Sequence, residues 1–176
     1  MARIHSFLAA LCLAVFAFAP AHASEQEAVK LETGNFGKAA VFQYIDAKGN
    51  PLTLDPGKHK LTALHFWATW CVPCIDELPQ VDDAAEIFAG KMEVVAIALD
   101  GKNTAKVEKF FADHKIEHLA VLLDPTATTS KAAGIKGLPG TIFIDSKGNI
   151  IARAQGPLDW QREDVAGFLK KSLARN

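Results

Sequence analysis

The chain predicts an α/β fold, with a central mixed β-sheet, helices on both of its faces and a β-hairpin placed ahead of it. Three observations carry this expectation. Short apolar runs alternate with stretches of helical period through residues 61–133, as strand–helix–strand units on a parallel sheet require. Two further apolar segments flank Asp145-Ser146-Lys147-Gly148-Asn149, turn chemistry that sends the chain back antiparallel. The chain has 176 residues, 49% of them hydrophobic, which suits one domain with an appendage and excludes wholesale disorder.

The appendage comes first. Arg3 is the sole charge before Glu25, and residues 7–19 read FLAALCLAVFAFA. Pro20 and the triplet Ala21-His22-Ala23 follow. A basic start, a short apolar stretch and an A-x-A site make a secretory signal peptide. The stretch falls short of the ~20 residues of a spanning helix, which disfavours the rival reading, an uncleaved anchor. Cleavage is expected after Ala23. It removes Cys12, leaving Cys71 and Cys74 of the three cysteines, and it removes Arg3, taking the formal net charge from −1 to −2. So weak a charge excludes the strong basic field of a nucleic-acid binder. Export places the mature chain outside the reducing cytosol, in the periplasm.

Residues 24–37 are polar, contain glycine and lack a pattern, so a loose lead-in is expected, with the domain at 38–176. Residues 41–45 and 51–54 flank Asp46-Ala47-Lys48-Gly49-Asn50 and predict the leading hairpin. Residues 61–67, LTALHFW, suit a buried central strand. After Cys71 a helix is predicted, with Leu78, Val81, Ala85 and Phe88 on one face. Residues 93–99, EVVAIAL, form the next buried strand. Asn103 is placed to cap a helix whose inward stripe is Val107, Phe110 and Phe111. Residues 119–123 predict a third buried strand and 128–133 a short helix. Strands at 141–144 and 150–154 form the late hairpin. Residues 160–173 close the chain as a helix with Val165, Phe168, Leu169 and Leu173 facing in. His59, His114 and His118 read as surface residues.

The chemistry concentrates in Trp70-Cys71-Val72-Pro73-Cys74, between the buried strand and the helix. Two cysteines three apart at a helix start can reach one another as a disulfide. The first also faces unpaired backbone N–H groups and the positive end of the helix dipole, which favour thiolate over thiol. A thiolate attacks a disulfide, and a neighbouring thiol resolves the product. Cys71 is therefore the expected nucleophile and Cys74 the resolving residue. Other readings are weaker. A disulfide closing so short a loop stabilises little. A structural zinc ion wants four ligands, yet no second cysteine pair exists and His65 could supply one nitrogen only.

The stretch Phe66-Trp67-Ala68-Thr69-Trp70-Cys71-Val72-Pro73-Cys74, followed by Glu77-Leu78-Pro79, resembles the TlpA/ResA group of thioredoxin-like proteins. Gly137-Leu138-Pro139 with Thr141-Ile142-Phe143-Ile144-Asp145 resembles the second half of that signature. The likeness runs from about Val41 to Leu173. It implies a thioredoxin-like fold and protein thiol–disulfide exchange through Cys71 and Cys74, with no cofactor and no metal. It implies a cis bond before Pro139, lying against the cysteine pair and freeing the Leu138 backbone to pair with an extended substrate. Trp70, Val72, Pro73 and Leu138 are the substrate contacts it implies. Trp67 joins Trp70 as an apolar collar, or simply packs. Glu77 matches a family glutamate able to carry protons for the sulfurs. A surface helix glutamate is the plain alternative, and for neighbouring Asp76 it is the stronger one.

Two positions depart from that group. His65 stands where thioredoxins hold a buried aspartate and this group often asparagine. It is either a base for Cys74 or a hydrogen-bonded core group. Gly140 stands where threonine or serine usually follows the proline. The resemblance favours the reducing direction, in a monomer, with electrons from a membrane thiol donor of the DsbD/CcdA type. Apocytochrome c cysteines or copper-site thiols of cytochrome oxidase are the substrates it suggests. Two rivals remain. A copper-binding chaperone fits a wider cysteine spacing and a distal histidine. A peroxiredoxin-like peroxidase wants threonine where Ala68 stands.

Overall fold

The structure, a computed structural model, describes residues 27–174, and the expected signal peptide lies outside the described residues. In chain order the strands are β1 (Glu32–Thr33), β2 (Gln43–Asp46), β3 (Pro51–Thr53), β4 (Leu61–Trp67), β5 (Met92–Ala98), β6 (Leu122–Leu123), β7 (Gly140–Asp145) and β8 (Ile150–Gln155). The helices are α1 (Val72–Ile87), α2 (Thr104–His114), α3 (Thr128–Ala132) and α4 (Glu163–Ala174). All the strands join one sheet in the order β1-β8-β7-β4-β5-β6-β2-β3. β4, β5 and β6 run parallel, and the remaining pairings are antiparallel.

β4 takes the centre because it offers solvent nothing: every one of its residues is buried, as a strand covered on both faces must be. Strand alternation divides its side chains. Leu61, Ala63 and Trp67 join a cluster with Leu78 and Val81 of α1, Val107 and Phe111 of α2, and Val165 and Leu169 of α4. Leu64 and Phe66 join a second cluster, with Phe42 and Tyr44 from the leading hairpin and Ala133 after α3. Three helices thus cover one face and a single short helix the other.

Local chemistry sets the element ends. The Asn103 side chain accepts the Lys106 amide at 3.2 Å and caps α2 as expected. The two hairpins close through twin turns. Asp46 Oδ1 accepts the amides of Lys48 and Asn50, and Asp145 Oδ1 those of Lys147 and Asn149. Gly49 and Gly148 take φ of 83° and 75° there, left-handed values that favour glycine.

Three features differ from expectation. Residues 160–162 are not helical, and α4 starts at Glu163. The Trp160 amide goes to Gln80 Oε1 at 3.0 Å and the Arg162 amide to the Asp159 carbonyl at 3.3 Å, a turn that ties the chain to α1 first. Of residues 119–123, Leu122 and Leu123 alone pair as strand, since the Leu119 amide is taken by Asp82 Oδ1 at 3.0 Å. The described part of the lead-in, residues 27–37, is stitched down. Glu32 and Thr33 pair with Arg153 and Ala152 of β8, Lys38 bridges to Asn149, and Leu31 is buried. Among the described residues, no helix is long and apolar enough to cross a membrane.

Candidate active site

The site forms where β4 ends. The chain leaves Trp67, turns through residues 68–70 and enters α1, with Cys71 as the residue that caps the helix. The turn is anchored from β5's end. Asp100 accepts the Thr69 amide at 2.9 Å and the Thr69 hydroxyl at 2.5 Å, and Lys106 Nζ sits 3.0 Å from the same carboxylate. Sequence reasoning missed Asp100 and Lys106. The available signal was an acidic residue directly after a buried parallel strand, at the sheet end where sites of this topology gather.

Cys71 and Cys74 form a disulfide, with Cα atoms 5.2 Å apart. The two cysteines differ in exposure: Cys71 is 7% exposed and Cys74 fully buried. Of the two, Cys71 alone has surface to offer. Beside Cys71 two apolar side chains stand in solvent, Trp70 at 63% and Val72 at 68% exposure. Trp67 is not part of that collar. It is fully buried and stacks on Phe111 with ring centroids 5.7 Å apart.

β7 brings the second half of the motif to the same sheet end. Its register pairs Gly140 with Phe66 and Thr141 with His65, which sets Pro139 level with Trp67. The Leu138–Pro139 bond is cis. Pro139 is buried and Leu138 half-buried. Gly140 has a packing reason: a Cβ there would lie 2.8 Å from Ile135 Cγ2 and 3.3 Å from the Gly137 carbonyl oxygen. Ile135 fills the space that a threonine or serine side chain would need.

Behind the sulfurs lies a buried polar cluster. Glu77 is three residues after Cys74, hence on the same side of α1, and is buried, whereas Asp76 is exposed. Its Oε1 accepts the Trp160 indole N–H at 2.8 Å, and its Oε2 lacks a hydrogen-bond partner. Burial pushes the Glu77 carboxyl up to about 7, against the opposing pull of the Trp160 and Leu158 hydrogen bonds. His65 Nδ1 lies 2.9 Å from the Thr141 hydroxyl and 3.9 Å from Glu77 Oε1. Burial holds the imidazole down to about 3, so at neutral pH it is uncharged and the His65–Glu77 contact is not an ion pair. Trp160 was read only as a helix residue. Its partner lies 83 residues away, and no spacing rule in the sequence reports such a contact. Among the described residues, no group of three or more His, Cys, Asp or Glu is placed to hold a metal ion.

A cysteine pair with one member slightly exposed and one fully buried, opening a helix behind the central strand of a mixed sheet, with a cis-proline alongside, defines a thioredoxin-like thiol–disulfide oxidoreductase. Comparison with known proteins narrows the class. The Redoxin family model matches residues 32–169, and the chain belongs to that family. It is 31% identical over 142 residues to the thiol-disulfide oxidoreductase ResA of Bacillus thuringiensis subsp. konkukian, covering 81% of this chain and 79% of that protein. Sporulation thiol-disulfide oxidoreductase A of Bacillus subtilis is 31% identical over 122 residues, covering 68% and 73%. Among solved structures, a thiol:disulfide interchange protein DsbE from Chlorobium tepidum is similar with a TM-score of 0.69 at 28% identity, over 82% of this chain and 100% of that one.

Proposed function

We propose that the chain is a periplasmic reductase of protein disulfides, exported with cleavage after Ala23 and recharged by a membrane thiol donor of the DsbD/CcdA type. Apocytochrome c cysteines or copper-site thiols are its proposed substrates. One observation carries the reducing direction. The first turn of α1 offers the Cys71 sulfur few donors: Pro73 has no N–H, and the amides of Cys74 and Ile75 are spent on the Cys71 carbonyl at 3.0 and 3.1 Å. Val72 and Pro73 add no charge. Strong oxidants of this chemistry owe their potential to a stabilised reduced form; here the dipole of α1 stands as expected, but these amides are not free and no charged side chain adds to it.

In the proposed cycle the Cys71 thiolate attacks one sulfur of the substrate disulfide. The substrate S–S bond breaks, its other sulfur leaves with the electron pair, and a mixed disulfide forms. Cys74 then gives its proton to Glu77 and attacks the Cys71 sulfur. The remaining substrate sulfur leaves as thiolate and takes a proton from water. Two electrons have passed to the substrate, and the protein holds the Cys71–Cys74 disulfide. Glu77, rather than the uncharged His65, is given the proton because it titrates near neutrality. The test is the reduction potential of the pair against glutathione. It is expected well below the value of about −120 mV that marks a strong oxidant. A potential near that value would overturn the reducing direction and assign disulfide formation instead.

A further inference from the structure

We infer that Trp160, in the turn between β8 and α4, is a positioning residue of the exchange site: its indole N–H fixes one carboxylate oxygen of Glu77 and leaves the other to take the Cys74 proton. The inference rests on the proton-carrying role proposed for Glu77.

The geometry is that of a holder. Trp160 is buried and secured at both ends. Its amide is bonded to Gln80 Oε1 at 3.0 Å, and its ring packs on Phe143 with centroids 5.7 Å apart. From that fixed base Nε1 reaches Glu77 Oε1 at 2.8 Å. Packing alone would be served by any aromatic ring. A donor aimed at a buried carboxylate is an added specification, because a buried polar atom left unpaired is costly. Yet the same carboxylate keeps Oε2 without a hydrogen-bond partner, the Leu158 amide being the one backbone donor that also draws on the group. One oxygen is tied and the other open, as a group that must gain and lose a proton without swinging away requires.

The surroundings leave this task to Trp160. The titratable groups about Glu77 are few: Cys74 one turn before it, His65 from β4 at 3.9 Å, and Asp76 and Asp159, which share its cleft. β7 contributes the uncharged Thr141, which is engaged with His65. Arg162, the cation of the β8–α4 turn, is engaged with Asp164. The cleft holds about 280 Å³ between Pro73, Gln80 and Pro157, with Glu77 in its lining. It offers a way out for the proton: Cys74 S–H breaks, Glu77 takes the proton, and Glu77 returns it to water through the cleft.

The test follows the second release of thionitrobenzoate when the reduced protein meets Ellman's reagent, the step in which Cys74 attacks the Cys71 mixed disulfide. Its rate is measured by stopped flow against pH. Losing the indole donor disfavours the ionised carboxylate, so Trp160→Phe is expected to move the midpoint upward by roughly one pH unit, the size a hydrogen bond to a carboxylate supports. Trp160→His, which keeps a ring N–H, is expected to bring it back toward the parent value. In a Glu77→Gln background, Trp160→Phe is expected to change nothing further. If Glu77→Gln alone keeps the parent profile, the role of Glu77 falls, and the inference with it. If Glu77→Gln flattens the profile but Trp160→Phe leaves the midpoint in place while lowering only thermal stability, the positioning role alone falls. Should Trp160→Phe not fold, Trp160→Leu carries the decision, since it too lacks the donor: a midpoint displaced upward supports the inference and one at the parent value overturns it.

Discussion

Glu77 shows how burial alone can turn a side chain into a switch. Its carboxyl sits at about 7 in the folded protein, against an ordinary 4.5 in the unfolded chain. Folding therefore favours the protonated form. The stability this confers is fully present below pH 4.5 and is lost as pH rises through 7. The difference corresponds to about 3 kcal/mol. Glu77→Gln mimics the protonated form, so urea denaturation is expected to show it matching the parent near pH 4.5 and exceeding it by about that amount above pH 8. His65 acts in the other sense. Held down to about 3 from an ordinary 6.5, its contribution is present above pH 6.5 and lost as pH falls toward 3. Gly140 makes a different point. A side chain there must displace Ile135, whose Cγ2 would be 2.8 Å from the new Cβ. Gly140→Thr is expected to cost about 1–3 kcal/mol of stability, and Ile135→Ala in the same chain is expected to recover most of it, both read from urea midpoints. The departure at 140 was legible in the sequence. The residue that compensates it was not, because an isoleucine in a loop carries no sign of what it touches.

At the scale of elements, α1 does more than carry the cysteines. Its Asp82, buried, accepts the amides of Glu117, His118 and Leu119 at 3.1, 2.8 and 3.0 Å and also meets His118 Nδ1 at 3.0 Å. One carboxylate thus satisfies three backbone donors of the segment between α2 and β6, which has no strand to pair with. Asp82→Ala leaves those donors unpaired and is expected to destabilise by about 2–4 kcal/mol in chemical denaturation. His118 is exposed as the sequence suggested, but Asp82 raises its pKa. A raised histidine stabilises the fold below its unfolded value, and that gain fades as pH rises through the folded one. The long periodic elements α1, α2, β4 and β5 could be read from the chain because burial on one or both sides dictates their apolar spacing. The strand expected over 119–123 shortens to Leu122–Leu123 because the Leu119 amide goes to the Asp82 side chain and not to a neighbouring strand.

For the whole molecule, the topology followed from connectivity. Parallel strands need helical crossovers and a five-residue turn needs an antiparallel return, so the centre and the late hairpin were legible. The edges were not. β1 is two residues long, too short for any pattern, and its place beside β8 is set by backbone pairing together with the Arg153–Glu32 contact at 2.7 Å. Arg162 adds bonds to the carbonyls of Ala28 and Val29 at 3.3 and 2.8 Å. Deleting residues up to Gly34 removes buried Leu31, worth about 2 kcal/mol, and bares the edge of β8. Such a chain is expected to melt earlier and to scatter light on warming, as differential scanning fluorimetry with static scattering would record. The same pairing has a temporal side. Residue 32 waits for residue 153, 121 positions further on, so the seam between β1 and β8 closes only after that stretch has emerged. A chain delivered N-terminus first, through a ribosome or a translocation pore, stays unzipped along that seam until then. The contact that seals this edge of the sheet is thereby among the later ones to form, because closing so long a loop must wait for its far end.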